Sequence, residues 1–230
     1  MKSIDDICFI IQTRLGSKRT PNKSIIPFAD STLFNIAIEK VLESNIISNK
    51  NVYVSVYEQE LLDIANEYDV NIYNRSYESA NEHGSHSPKI IYEWYDKLPY
   101  KYCILLNICN PLLTIETVDK FVNHYINTES DGLFAVFEKK QYYWDEEGNS
   151  VTDWDGESIM NTNLVKPVYE AAHCLYASRM DIIGDNYWMD KNSPPTPELF
   201  VINEFESLDI DYPWQFELVE TLYNKKKNEW

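Results

Sequence analysis

The run Tyr102-Cys103-Ile104-Leu105-Leu106-Asn107 is apolar almost throughout, and that narrows the folds open to this chain more than any other feature. A strand with apolar side chains on both faces must be covered on both, which is the environment of a central strand in a parallel sheet sandwiched by helices. Ile7–Thr13 reads as a second buried strand, and Asn51–Tyr57, Val70–Tyr73, Gly132–Phe137, Ala171–Ala177 and Leu199–Ile202 as further ones. Helical spacing falls between them. Ser31–Ser44 places Leu33, Ile36, Ala37, Val41 and Leu42 on one side, Glu60–Tyr68 is short, and Ser87–Leu98 turns Ile91, Trp94 and Tyr95 inward. Thr114 can cap a helix in which Val118, Phe121, Val122 and Tyr125 recur, and Pro213–Leu222 opens a last helix that ends in Lys225-Lys226-Lys227. Repeated β-then-α segments predict a three-layer, Rossmann-like α/β fold with a mainly parallel sheet, whose ligands bind beyond the carboxyl ends of the strands.

The first predicted strand delivers the chain to that edge. There follows Thr13-Arg14-Leu15-Gly16-Ser17-Lys18-Arg19-Thr20-Pro21-Asn22-Lys23, with four cations in the ten positions from Arg14 to Lys23. A Gly/Ser turn after a buried strand offers backbone N–H groups to an anion, and nearby Lys and Arg add charge-assisted bonds to phosphate oxygens. The spacing is neither the Walker P-loop nor the Gly-x-Gly-x-x-Gly of dinucleotide folds. A solvated basic turn is the alternative reading.

The rest of the chain makes this cluster stand out. Its formal net charge is −17 over 230 residues, which argues against nonspecific binding to nucleic acid or anionic membrane. Cys8, Cys103, Cys109 and Cys174 lie singly in apolar runs, as free core thiols of a reducing compartment do. Met1 to Asp6 is polar, and no segment nears the ~20 apolar residues of a membrane span, so a cytoplasmic protein is expected. Glu138 to Lys166 breaks the β-then-α pattern with Tyr142, Tyr143, Trp144, Trp154 and an acidic run, and reads as an excursion from a single domain spanning 1–230.

A second constellation lies far downstream. In Leu208-Asp209-Ile210-Asp211, residues two apart in an extended segment share a side, so Asp209 and Asp211 project together while Leu208 and Ile210 face the core. Two such carboxylates raise each other's pKa unless a cation sits between them, and Mg²⁺ with substrate phosphates is the usual solution. Asp211 as the N-cap of the Pro213 helix is the competing explanation.

The basic loop resembles the R-x-G-S-K-x-x-P-x-K signature of the CMP-sugar synthetases, cytidylyltransferases that activate sialic acid and related keto-sugar acids. Relatives acting in spore-coat polysaccharide synthesis carry a similar loop. Leu208-Asp209-Ile210-Asp211-Tyr212-Pro213-Trp214-Gln215-Phe216 resembles the family's I-D-I-D-T-P-x-D-F. The resemblance implies a nucleotide-diphospho-sugar transferase fold, CTP and a small anionic acceptor as substrates, Mg²⁺ at Asp209 and Asp211, and a homodimer formed in part by an inserted segment over 138–170. It implies phosphate and nucleotide contacts for Arg14, Leu15, Gly16, Ser17, Lys18 and Lys23, continued by Arg75, Ser85 and Asn107. Arg14, Lys18 and Asp211 would carry catalysis. Leu105–Leu113 resembles L-L-Q-P-T-S-P-L-R, but Asn107 replaces Gln, Asn110 replaces Ser and Leu113 replaces Arg. In subgroups that carry G-D-x-P-L here, Cys109 stands at the Asp position, and Ser24 stands where Asn is frequent. Asn107, Asn110 and His173 would face the acceptor, although a lone His in an apolar strand is more often a hydrogen-bonded core residue. These departures fall where relatives contact the sugar. They leave room for a phosphonate or phosphorylated acceptor, or for a nucleotide-binding subunit without catalysis.

Overall fold

The computed structural model describes residues 1–81, 87–152, 161–185 and 197–229. Its strands are β1 Ile7–Gln12, β2 Pro27–Phe28, β3 Ser31–Thr32, β4 Val52–Val56, β5 Asn71–Asn74, β6 Tyr102–Leu106, β7 Leu133–Lys139, β8 Val168–Arg179 and β9 Glu198–Ile202. The helices are α1 Leu33–Leu42, α2 Gln59–Ala65, α3 Tyr77–Asn81, α4 Pro88–Ile91, α5 Ile115–Asn127 and α6 Pro213–Glu229. Seven strands form one sheet in the order β5-β4-β1-β6-β8-β7-β9, and β2 and β3 form a separate pair. Within the large sheet β8 alone is reversed, pairing antiparallel with β6 and β7 while the other pairings are parallel.

The apolar runs explain the order. Ile7, Phe9 and Ile11 enter one core with Leu33 and Phe34 of α1 and Phe121 and Val122 of α5. Cys8 and Ile10, on the opposite side of β1, join Trp94, Cys103, Met180 and Ile183. A strand apolar on both sides is stable only in the middle of the sheet, where each fully buried Ile contributes about 1.5–3 kcal/mol. β1 and β6 are therefore central and register-paired from Ile7 with Tyr102 to Ile11 with Leu106. All four cysteines are buried and free. Thr114 caps α5 by accepting from the Thr117 N–H, and Val118, Phe121, Val122 and Tyr125 are its buried face.

The segment expected to be one helix over Ser87–Leu98 is broken. α4 stops at Ile91, Tyr92 leaves helical geometry at φ −110° and ψ 38°, and Glu93–Asp96 continues as a 3₁₀ turn. The Ile91 carbonyl, which a longer helix would give to its own backbone, accepts instead from Gln12 Nε2 (3.2 Å) and Ser79 Oγ (3.1 Å). Trp94 is turned into the core with its Nε1 donating to Gln12 Oε1 at 2.7 Å. Side chains from β1 and α3 end the helix, and they do so at the carboxyl end of β1.

β8 is longer than the expected Ala171–Ala177 and carries a large bulge. Phe134 pairs with Tyr176 and Val136 with Ala171, so five steps along β8 oppose two along β7. His173 lies in the bulge with left-handed backbone (φ 54°). A bulge of this kind re-aims a side chain at the end of a sheet. Between β7 and β8, Asp145–Asn149 closes a tight turn with Gly148 at φ 85°, bridged by Trp144 and Ser150. Trp144 and Leu164 are exposed, and Trp154 lies outside the described residues. Among the described residues no helix is long and apolar enough to cross a membrane.

Candidate active site

The loop after β1 is held from behind by its neighbours. The Thr13 N–H donates to the Ser55 carbonyl (3.2 Å), and the Thr13 and Ser24 hydroxyls lie 2.7 Å apart. Ser24 Oγ also donates to the Arg14 carbonyl at 3.2 Å. The Leu15 carbonyl accepts from Ser17 and Asn22 N–H groups at 2.8 and 3.1 Å, with Asn22 in the left-handed region at φ 58°. The Leu15 N–H is taken by Glu58 Oε1 at 2.8 Å. In front of the loop opens a cleft of about 510 Å³, lined by Arg14, Ser17, Lys18, Arg19, Lys23 and, across it, Asn107 to Cys109. Lys18 is exposed on this cleft, and no hydrogen bond or ion pair holds it among the described residues.

The two constellations read from the sequence meet here. Lys23 Nζ donates to the Ile210 carbonyl (2.7 Å) and to Asp211 Oδ1 (3.1 Å). Arg19 Nη2 lies 2.7 Å from the same oxygen, and Thr20 Oγ1 donates to the Asp211 carbonyl at 2.9 Å. Burial works against the Lys23 ammonium, but at the alkaline pH where it titrates negative charge on Cys109 and Asp211 beside it holds its pKa above the ordinary value. Burial pushes the Cys109 thiol up to about 11, against the pull of Lys23, so this floor of the cleft is an uncharged thiol.

Asp211 is not the helix cap. Gln215, at the third position of α6, accepts from the Asp211 and Tyr212 N–H groups at 2.8 Å each. This is the returning half of a capping box, and it frees the Asp211 carboxylate to face the loop. Replacement of Gln215 by Ala is expected to cost about 0.5–1.5 kcal/mol, read as a lower thermal midpoint.

Asp209 is the less solvated partner. Burial raises its pKa first and Asp211 adds to the rise, against Lys23, His173 and Arg19. Its Oδ1 is buried with no hydrogen-bond partner. Among the described residues no three His, Cys, Asp or Glu side chains gather as a complete metal cage. Two oxygen donors, one of them buried and unpartnered, fit a hard divalent cation that takes its other ligands from phosphate and water.

The remaining predicted residues divide. Asn107 lines the cleft, donating through Nδ2 to the His173 carbonyl (3.0 Å) and accepting from the Cys109 N–H (3.1 Å). His173 is exposed at the bulge rather than in the core, with Nδ1 2.5 Å from the Tyr176 hydroxyl. Asn110 is 1% exposed and pins the Ser207 carbonyl through Nδ2 at 2.9 Å. Arg75 is buried too, with Nη1 donating to the Thr13 carbonyl (3.1 Å) and Nη2 to that of Ser79 (2.7 Å), so it braces the loop. Burial, with Arg14 close by, lowers its pKa to about 10. Arg14 Nη1 donates to the Ala80 carbonyl at 3.1 Å. Ser85 lies outside the described residues. Sequence reasoning did not assign Arg19, Glu58 or Gln215. Arg19 had a signal as one of the four loop cations, and Gln215 as a Gln in the first turn behind Pro213; Glu58 had none.

A basic loop at the carboxyl end of β1, facing paired carboxylates across a mainly parallel sheet, belongs to the nucleotidyltransferase class of α/β enzymes. Within it the chain is a member of the cytidylyltransferase family, which it matches over residues 8–226. It is 24% identical over 229 residues to a pseudaminic acid cytidylyltransferase of Campylobacter jejuni subsp. jejuni serotype O:2, covering 93% of this chain and 94% of that one. The fold is similar to that of a CMP:2-keto-3-deoxy-manno-octonic acid synthetase complexed with CTP, with a TM-score of 0.70 at 12% identity over 96% of this chain and 99% of that chain. It is also similar to a 4-diphosphocytidyl-2C-methyl-D-erythritol synthase from Anaerococcus prevotii, with a TM-score of 0.67 at 14% identity over 96% and 98% of the two chains.

Proposed function

We propose that the enzyme transfers CMP from CTP to a sugar acid, releasing pyrophosphate, in the synthesis of a surface glycan or glycoconjugate. The observation that carries this reading is the junction of Arg19 and Lys23, two cations that line the cleft, with Asp211 of the carboxylate pair. The acceptor hydroxyl attacks the α-phosphorus of CTP in line. An oxygen–phosphorus bond forms, the bond to the β-phosphate oxygen breaks, pyrophosphate leaves, and the hydroxyl proton is lost to solvent. Positioning and charge neutralisation supply most of the rate in such transfers.

Arg14, Lys18 and Lys23 hold the triphosphate, with Leu15, Gly16 and Ser17 offering backbone and hydroxyl donors. Lys18 is exposed and uncommitted, and so able to follow charge onto the leaving phosphates. Asp209 and Asp211 would hold Mg²⁺, which would supply positive charge to the triphosphate. Arg75 and Asn110 act by holding the walls. Asn107 and His173 face the acceptor, the latter carried there by the bulge in β8. The exposed aromatics between β7 and β8 suit a homodimer contact.

The test is pyrophosphate release with Mg²⁺ and CTP against separate pools of sugar acids, including pseudaminic acid, of phosphonates and of sugar phosphates, with ATP, GTP and UTP as controls. CTP-specific release with a sugar acid is expected. Release only with a phosphonate or phosphate acceptor would replace the acceptor, and CTP binding without release would make the chain a nucleotide-binding subunit.

A further inference from the structure

Asp211 Oδ1 accepts from two cations, and they are not equivalent. Lys23 is enclosed, with a side chain 13% exposed, and a second bond to the Ile210 carbonyl at 2.7 Å fixes it in place. Arg19 is 52% exposed, and its guanidinium carbon lies 5.4 Å from the Tyr212 ring centre. The same side chain lines the cleft beside Arg14 and Lys18. One arginine thus stands between the carboxylates and the place where the phosphates would lie.

We infer that Arg19 is an exchangeable counter-ion, which neutralises Asp211 when no nucleotide is bound and moves to phosphate oxygens when cation and nucleotide arrive. This deepens the proposed Mg²⁺ and CTP reading and rests on it. Asp209 and Asp211 cannot both stay charged side by side without a cation. Arg19 supplies one from the loop itself. A divalent ion approaching alone meets an Asp211 Oδ1 already shared by the guanidinium and Lys23, and binds against the guanidinium's positive charge. A nucleotide removes that obstacle, because its phosphates give the displaced guanidinium a bidentate anionic partner. Binding of cation and nucleotide is therefore coupled, and the coupling is reciprocal. Lys23, held to the Ile210 carbonyl, stays beside Asp211 in both states, with its third N–H left for a phosphate oxygen.

Free Mn²⁺ followed by electron paramagnetic resonance tests this on the full chain, without nucleotide and without any acceptor. Arg19→Gln is expected to tighten Mn²⁺ binding by about five-fold, the lower end of ordinary site-to-site coupling, and to weaken binding of CTP in the presence of Mg²⁺. Lys18→Gln removes the same charge from the same loop without touching Asp211, and should leave Mn²⁺ affinity within about two-fold, as expected of a screened exposed charge. Mn²⁺ affinity in Arg19→Gln equal to or weaker than that of the parent overturns the inference, as does an equal gain in Lys18→Gln. Asp211→Asn separates the two levels. If it weakens Mn²⁺ binding while Arg19→Gln changes nothing, only the exchange fails. If it has no effect, the metal reading fails and takes the exchange with it.

Discussion

Replacement of Lys18 by Ala is expected to lower kcat by about 100-fold or more, the loss seen when one donor aimed at developing charge is removed, while the thermal midpoint stays where it was. Lys18 is exposed, has no protein partner among the described residues and lines the cleft. Surface side chains without partners contribute within about ±0.5 kcal/mol to stability, so activity and folding separate cleanly at this position. A comparable loss in KM alone, with kcat unchanged, would mean that Lys18 binds ground state and transition state equally. Turnover near the parental rate would remove Lys18 from the mechanism.

Asp209→Asn is expected to reduce kcat by about 10²- to 10³-fold, since a bound divalent cation supplies several kcal/mol of charge stabilisation, and at the same time to make the protein more stable at neutral pH. The second effect follows from the sign of the pKa shift. Burial and Asp211 raise the Asp209 pKa in the folded protein, so the folded state holds the proton more tightly than the unfolded chain does. Charged Asp209 therefore opposes folding at pH values above its raised folded pKa, and that opposition fades as pH falls through the folded value towards 3.8, the ordinary carboxylate value. An amide carries no such charge. The gain should be of the size found when a functional group is traded for stability, about 0.5–2 kcal/mol, and should vanish in acid. Thermal melts of both proteins from pH 7 down to below pH 4 check it. A destabilised variant at pH 7 would show that the carboxylate is a structural member and not a metal ligand.

What could be read in the sequence is what the chain specifies locally. β1 and β6 announce themselves because side chains on both of their faces are buried, and Thr114 marks α5 because a cap and its helical face are adjacent in sequence. The basic loop and the aspartate pair were each visible as chemistry. Their contact was not, because nothing near Lys23 specifies a carboxylate at Asp211. The break after Ile91 was hidden for the same reason, since the side chains that take its carbonyl come from Gln12 and Ser79. The bulge around His173 is a mismatch between two strands and leaves no mark on either alone. Arg19 could not be told from Lys18, because which cation turns to Asp211 is decided by a backbone that reverses at Asn22. Asn110 reads as an amide offered to a ligand; its Nδ2 is spent on the Ser207 carbonyl, while its buried Oδ1 has no partner.

Among the described residues every strand, β1 to β9, precedes Asp209 in the chain. A polypeptide leaving the ribosome can thus complete its sheet and display its cations before the carboxylates that answer them have been made. The bond from Lys23 to Ile210 closes one of the longest loops in the molecule, and contacts of such separation form late because the entropy of closure must be met first. On the same assignment, an unfinished chain would carry the phosphate-directed loop without the carboxylates proposed to serve it. On the proposed assignment, catalytic competence would wait until the segment bearing Asp209 and Asp211 docks against a loop made at the start of synthesis.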